Sequence, residues 1–229
     1  MPKRLKEGSA GLVFHVLNRA VRRARLFNHS SDYRAFMRVF AEAQVRVPLR
    51  LLAYCVMPNH FHLVAWPSRD DELSEFMHWL TLTHSKRWHV YRGTNGTGSV
   101  YQGRFKAFPV QTDRHFLTVC RYVEQNPLRA RLVDRAEDWT WSSLSDRCKN
   151  CHRVNLTKWP IPLPADWVGL VNQLETTAVS KIRRSVVRSR PYGELEWAER
   201  TAKQVGLEAS LRPLGRPRKR TPGVVLRKT

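Results

Sequence analysis

The chain has 229 residues and carries 40 Lys and Arg against 19 Asp and Glu, a net charge of +21. That length suits one domain with an appendage, and that charge suits a polyanion such as nucleic acid, a property that a general RNA binder would share. No apolar run approaches the roughly 20 residues of a membrane span, and the start Met1-Pro2-Lys3-Arg4-Leu5 lacks the apolar core of a secretion signal, so no membrane association and a cytoplasmic address are expected.

In chain order, Leu12 to Leu17 reads as a short strand that ends at Asn18-Arg19, with His15 embedded as a structural residue. Ser30-Ser31-Asp32 is positioned to cap a helix whose Phe36, Met37, Val39, Phe40 and Ala43 recur at helical spacing and which ends before Pro48. Two strands follow, Leu49–Met57 and His60–Trp66, joined by the turn-forming pair Pro58-Asn59. Asp70-Asp71-Glu72 opens a second helix, its acidic first turn matched to the positive end of the dipole, and Leu73, Phe76, Met77, Leu80 and His84 continue it. Gly93–Gly98 is a loop, Phe108–Gln111 is extended, and Asp113 starts a helix that runs to about Asn126, where Pro127 favours a break. Trp159–Pro164 is extended, and Glu194–Val205 reads as a helix with Trp197 and Ala198 facing inward.

The order strand, helix, strand, strand, helix, strand is that of a ferredoxin-like α+β sandwich, an antiparallel sheet with helices packed on it. A basic C-terminal extension follows, with 14 basic and 4 acidic side chains in residues 181–229. Residues 1–147 are expected to form the main domain, 148–190 a linker or accessory segment, and 191–229 a basic tail with a short helix whose charge suits DNA. The four cysteines are expected to be reduced: Cys55 and Cys120 read as core, and Cys148-Lys149-Asn150-Cys151-His152 as a solvated loop. That last string matches a haem-attachment motif and holds three zinc-ligand types, but it lacks an export signal for the first and an evident fourth ligand for the second.

Strand alternation puts His60 and His62 on one face and Phe61 and Leu63 on the other, a spacing that builds half of a metal site. On the helix from Asp113, at 100° per residue, Phe116, Leu117, Cys120 and Val123 form the apolar face. Tyr122 and Asn126 share a stripe beside that face, with His115 near it and read as exposed.

Together these elements resemble the HUH single-tyrosine transposases, and within them the REP-associated tyrosine transposases. The resemblance covers about residues 10–147. It rests on His15-Val16-x-x-Arg19, Met57-Pro58-Asn59-His60-Phe61-His62, Gln102-x-Arg104-Phe105-Lys106 and Tyr122-x-x-x-Asn126-Pro127. It implies a ferredoxin-like fold, a divalent ion (Mg²⁺ or Mn²⁺) held by His60, His62 and Asn126, and Tyr122 as the nucleophile. The implied reaction opens single-stranded hairpin DNA of the REP type, leaving a 5′-phosphotyrosine and a free 3′-hydroxyl, and then rejoins it. It also implies a bacterial, nucleoid-associated setting and a monomer rather than a dimer. A rolling-circle initiator or relaxase, and a non-catalytic DNA-binding regulator that kept the fold, are the alternatives; no general base is assigned. Cationic grooves interleaved with aromatics hold single strands, which nominates Arg104 and Lys106 beside Tyr101 and Phe105, together with Arg19, Arg22, Arg23 and Arg121. Arg216, Arg218, Lys219 and Arg220 lie around a Gly-Arg-Pro core like that of an AT-hook, suited to the minor groove of duplex DNA.

Overall fold

The computed structural model describes residues 8–174 and 177–212. Strand β1 (Val13–Arg19), helix α1 (Ser30–Arg46), strands β2 (Arg50–Met57) and β3 (His60–Trp66), helix α2 (Glu72–Arg92) and strand β4 (Lys106–Val110) follow one another as expected. The sheet order is β2-β3-β1-β4 with every neighbouring pair antiparallel. This is the ferredoxin-like α+β arrangement, with β1 at the centre although it comes first in the chain.

Alternation along the strands divides the core into two layers. One face sends Phe14, Val16, Tyr54, Phe61, Leu63 and Ala65 against Phe36, Phe40, Phe76 and Leu80 of α1 and α2. The other face sends Val13, Cys55, Met57, Val64, Phe108 and Val110 against helix α3 (Arg114–Glu124) and the elements after it.

The capping differs in detail from the expectation. The residue before α1 is His29, and Asp32 stabilises the start from inside the first turn by accepting from the backbone N–H of Asn28 (2.8 Å) and His29 (3.2 Å). Asp71 precedes α2, while the neighbouring Asp70 accepts from the N–H of Gly8 (3.0 Å) and Ala10 (2.8 Å) and so clasps the start of the described chain. Asp113 caps α3 through the His115 N–H at 2.8 Å. The break falls close to where it is expected, with α3 ending at Glu124. Helix α4 (Asn126–Arg129) resumes at once with Pro127 in its first turn, where a missing N–H costs nothing.

Three helices were not legible in the sequence: α5 (Ser143–Cys148), α6 (Trp167–Asn172) and α7 (Thr177–Arg188). All three pack on the α3 side, through Leu144, Trp167 and Ile182. The extended Trp159 segment lies along β2, with its indole donating to the Leu52 carbonyl at 2.7 Å. Tyr192 bridges the free edge of β4 through Gln111 N–H (3.0 Å) and the Pro109 carbonyl (2.9 Å), and α8 (Leu195–Gln204) follows. Cys148 and Cys151 are free thiols, and His152 is exposed. Among the described residues no helix is long and apolar enough to cross a membrane.

Candidate active site

The site is built where β1 and β3 lie side by side beneath α3. In the register Leu17 opposes His62 and Arg19 opposes His60, so His15 lies diagonally across from His62 on the same face. Nε2 of His15 is 2.9 Å from Nδ1 of His62. The Tyr122 ring stands edge-on over this pair, its centroid 5.7 Å from that of His62 and 6.0 Å from that of His15. His60 and His62 have centroids 4.9 Å apart.

Burial decides the charge of these rings. It holds the pKa of His15 down to about 3 and that of His60 to about 3, with Arg19 adding to the effect at His60. His62 lies well below the ordinary histidine value, again through burial first and then through His60, His15, Arg129 and Arg19. All three are therefore neutral near pH 7, each with a lone pair to offer. For His60 the tautomer follows from its neighbours. The Asn59 Nδ2 donates to the Arg23 carbonyl (3.2 Å), which turns Asn59 Oδ1 toward His60 Nδ1 at 2.6 Å, so Nδ1 donates and Nε2 keeps the lone pair. At His62 the Nδ1 is engaged by His15, which likewise leaves Nε2 as the outward atom. Two neutral imidazoles with their inner nitrogens fixed in this way fit the donor set of a divalent ion.

Asn126 is more tightly engaged. Its Nδ2 donates to the carbonyls of Tyr122 (3.0 Å) and Val123 (3.3 Å), and its Oδ1 accepts from Arg129 Nη2 at 2.8 Å. Among the described residues no group of three or more His, Cys, Asp or Glu is arranged to hold a metal. Asn126 Oδ1, held by Arg129, is a neutral oxygen on the residue one helical turn after Tyr122. Arg129, which the sequence motifs do not single out, also stacks on Tyr122, its guanidinium carbon 4.1 Å from the ring centroid. A spacing of seven residues returns to the same helical stripe and was the available signal, hidden by the proline between.

The family model for IS200-like transposases matches residues 9–126, just over half of the chain. The chain belongs to the IS200-like transposase family. A Haemophilus influenzae protein designated a candidate REP-associated tyrosine transposase is 22% identical over 142 residues, which cover 58% of this chain and 79% of that protein. A solved structure of a REP-associated tyrosine transposase bound to a REP hairpin has a similar fold. Its TM-score is 0.51 at 19% identity, over 70% of this chain and 94% of that one. The resemblance drawn from the motifs is thus met by a family model, a curated relative and a fold.

In this transposase several of the nominated basic residues gather at the end of the sheet that carries His60. Arg19 is half-buried there. Burial, then Arg23, lower its pKa while Tyr122 acts in the opposite direction, and its Nε is buried with no hydrogen-bond partner. Arg22 and Arg23 are exposed in the loop after β1, both in the left-handed region at φ 54° and 58°. Gln102 N–H donates to the Arg19 carbonyl at 2.8 Å and ties the exposed Arg104 segment to the same end. Lys106 shares a cross-strand row with Leu17 and His62, hence the same face of the sheet. Arg121 has another engagement, because its guanidinium donates to the Gln173 carbonyl at 2.5 Å. Arg216, Arg218, Lys219 and Arg220 lie outside the described residues. His115, expected to be exposed, is largely covered: Nδ1 is 2.8 Å from Asp113 Oδ1 and the ring meets Tyr192 edge-on.

The residues after Tyr122 fix its helix. Glu124 is wholly buried, and its carboxylate accepts from the Trp167 indole (2.7 Å), from Ser143 and from Arg147. Gln125 Nε2 donates to the Val171 and Gln173 carbonyls, both at 2.7 Å. A buried carboxylate is tolerated only when paired and fully hydrogen-bonded, and these partners supply that. The helix bearing Tyr122 is thereby clasped by α5, α6 and the turn after α6.

Proposed function

We propose that the chain is a single-strand DNA endonuclease and strand transferase acting on REP-type hairpins, with Tyr122 as its nucleophile. The observation that carries this reading is the Tyr122 ring standing edge-on over His62 and His15 within one chain of an IS200-like transposase. The phenolic oxygen attacks the phosphorus of a phosphodiester. The bond from phosphorus to the 3′ oxygen breaks, the phenol proton is released, and the departing 3′ oxygen takes one up. One phosphoester replaces another, so the energy for rejoining is kept.

His60 and His62 through Nε2, with Asn126 through Oδ1, are the residues that would hold a Mg²⁺ or Mn²⁺ ion, whose chemistry when bound is to polarise the phosphate. The chain's own part is to hold two rings neutral and fixed and to seat the tyrosine against them. Arg19, Arg22, Arg23, Arg104 and Lys106 supply phosphate contacts at the mouth of the site, and the basic tail adds contacts to duplex. Because the histidines and Tyr122 meet within one chain, a monomer can act in cis, in the bacterial nucleoid. The hairpin as substrate is drawn from the solved relative, which is bound to one.

The deciding experiment incubates labelled single-stranded hairpins with the native chain and with Tyr122→Phe, with and without Mg²⁺. The native chain should give a metal-dependent covalent adduct on denaturing gels, and Tyr122→Phe should give none while still shifting the hairpin, because only one oxygen is lost. An adduct that persists in the variant removes Tyr122 from the role. Binding with no adduct from the native chain favours the non-catalytic regulator.

A further inference from the structure

We propose that Arg129 is a catalytic residue of this site, contacting the phosphate under attack as well as the tyrosine that attacks it. The proposal rests on the reading of Tyr122 as nucleophile. The Arg129 guanidinium packs over the Tyr122 ring and directs Nη2 to two acceptors, Asn126 Oδ1 at 2.8 Å and the Tyr122 carbonyl at 3.1 Å. Its Nη1 is buried and has no hydrogen-bond partner. A buried donor without an acceptor is costly and uncommon, and the planar guanidinium fork suits a phosphate oxygen. A second such atom, Arg19 Nε, approaches from β1, so two buried guanidinium donors from different elements flank the cluster of His60, His62 and Tyr122. Both arginines are electrostatically coupled to Tyr122, and burial lowers the pKa of each. Arg183 from α7 and Cys55 from β2 also act on Arg129.

In the attack, the Tyr122 oxygen bonds to phosphorus as the bond to the 3′ oxygen breaks, and negative charge grows on the non-bridging oxygens. Arg129 Nη1 donates to one of them, stabilising charge where it develops. Nη2 keeps Asn126 Oδ1 oriented beside it. Arg129 lies beyond the family match, which ends at Asn126.

The test compares a phosphodiester hairpin with hairpins whose scissile phosphate is replaced by either methylphosphonate diastereomer, which removes one charged oxygen. Single-turnover adduct formation is measured for the full-length native chain, Arg129→Lys, Arg129→Gln and Arg129→Ala, with circular dichroism to show which variants are folded. On the phosphodiester, Arg129→Gln and Arg129→Ala should be slower by about 100-fold and Arg129→Lys by about 10-fold, with hairpin affinity changed by less than about 3-fold. With one methylphosphonate diastereomer the native chain should lose most of its advantage over Arg129→Gln. An Arg129 penalty that is the same on all three substrates means that the residue only props Tyr122 and Asn126, and it overturns the proposal. So does a native rate in Arg129→Gln. Should Arg129→Ala be unfolded, the Lys and Gln variants carry the comparison. Adduct formation by Tyr122→Phe would overturn the nucleophile instead, a separate outcome.

Discussion

The two faces of the sheet are made by the same strands and do opposite things. Toward α1 and α2, β3 presents Phe61, Leu63 and Ala65, all fully buried in an aromatic-rich layer. Toward α3 the same seven residues present His60, His62 and Val64, beside the buried polar groups His15, Glu124 and Gln125. The first face gains stability by removing apolar surface from water. The second gives up some of that in order to hold three neutral rings, two arginines and a tyrosine at fixed positions, and it recovers order by wiring its buried polar atoms to one another. A strand shifted by one residue would exchange the faces, so stability of the first layer also sets the aim of the second.

This contrast is open to direct attack. The largest effect should come from the polar face. His60→Ala and His62→Ala should each lose adduct formation by several orders of magnitude in single-turnover assays, and Asn126→Ala should lose less, with partial rescue by Mn²⁺. Normal rates in all three would reduce the histidine pair to strand decoration. On the apolar face the loss should be of fold rather than chemistry: Phe61→Ala should lower unfolding free energy by about 3–5 kcal/mol in urea titrations. Near-native stability there would contradict the division of labour between the faces.

The apolar layer also encloses a histidine. His84 is buried, with Nδ1 2.8 Å from the Tyr101 hydroxyl, and burial lowers its pKa to about 4, Asp32 opposing. Its folded pKa lies below its unfolded value, so proton uptake favours the unfolded chain. The contribution is complete above about pH 6.5 and is lost as pH falls toward about 4, by up to about 3 kcal/mol. His84→Gln should flatten the fall in stability between about pH 6.5 and 4, and an equally steep curve would mean that His84 takes no part in it. The smallest effect is expected outside both faces. Removing residues 211–229 should weaken hairpin binding and reduce its log–log salt slope by roughly 0.7–0.9 for each phosphate that the tail no longer neutralises. The cleaved phosphodiester should not change, and a shifted cut would make the tail part of site selection.

The order of elements was legible because period-2 and period-3.6 patterns are local properties. The shared face of His60 and His62, and Tyr122 at the margin of its apolar stripe, followed from the same arithmetic. What escaped depends on distant partners. The contact of His15 with His62 is set by the pairing of β1 with β3, which no stretch of local sequence displays. Arg129 was hidden behind Pro127, which reads as a stop. Helices α5 and α6 have six residues each, too few to show a period, and they hold their places through Trp167, Arg147 and Ser143 converging on one carboxylate.

That carboxylate also sets an order of assembly. The ribosome delivers the histidine pair early, but Glu124 gains its partners only when residues 143, 147 and 167 have emerged. A nascent chain stopped at residue 126, where the family match ends, would carry Tyr122 and both His60 and His62 and still have an unclasped tyrosine helix. Residues 143 to 167 would thus act as a safety catch, leaving an incomplete transposase without a fixed tyrosine helix.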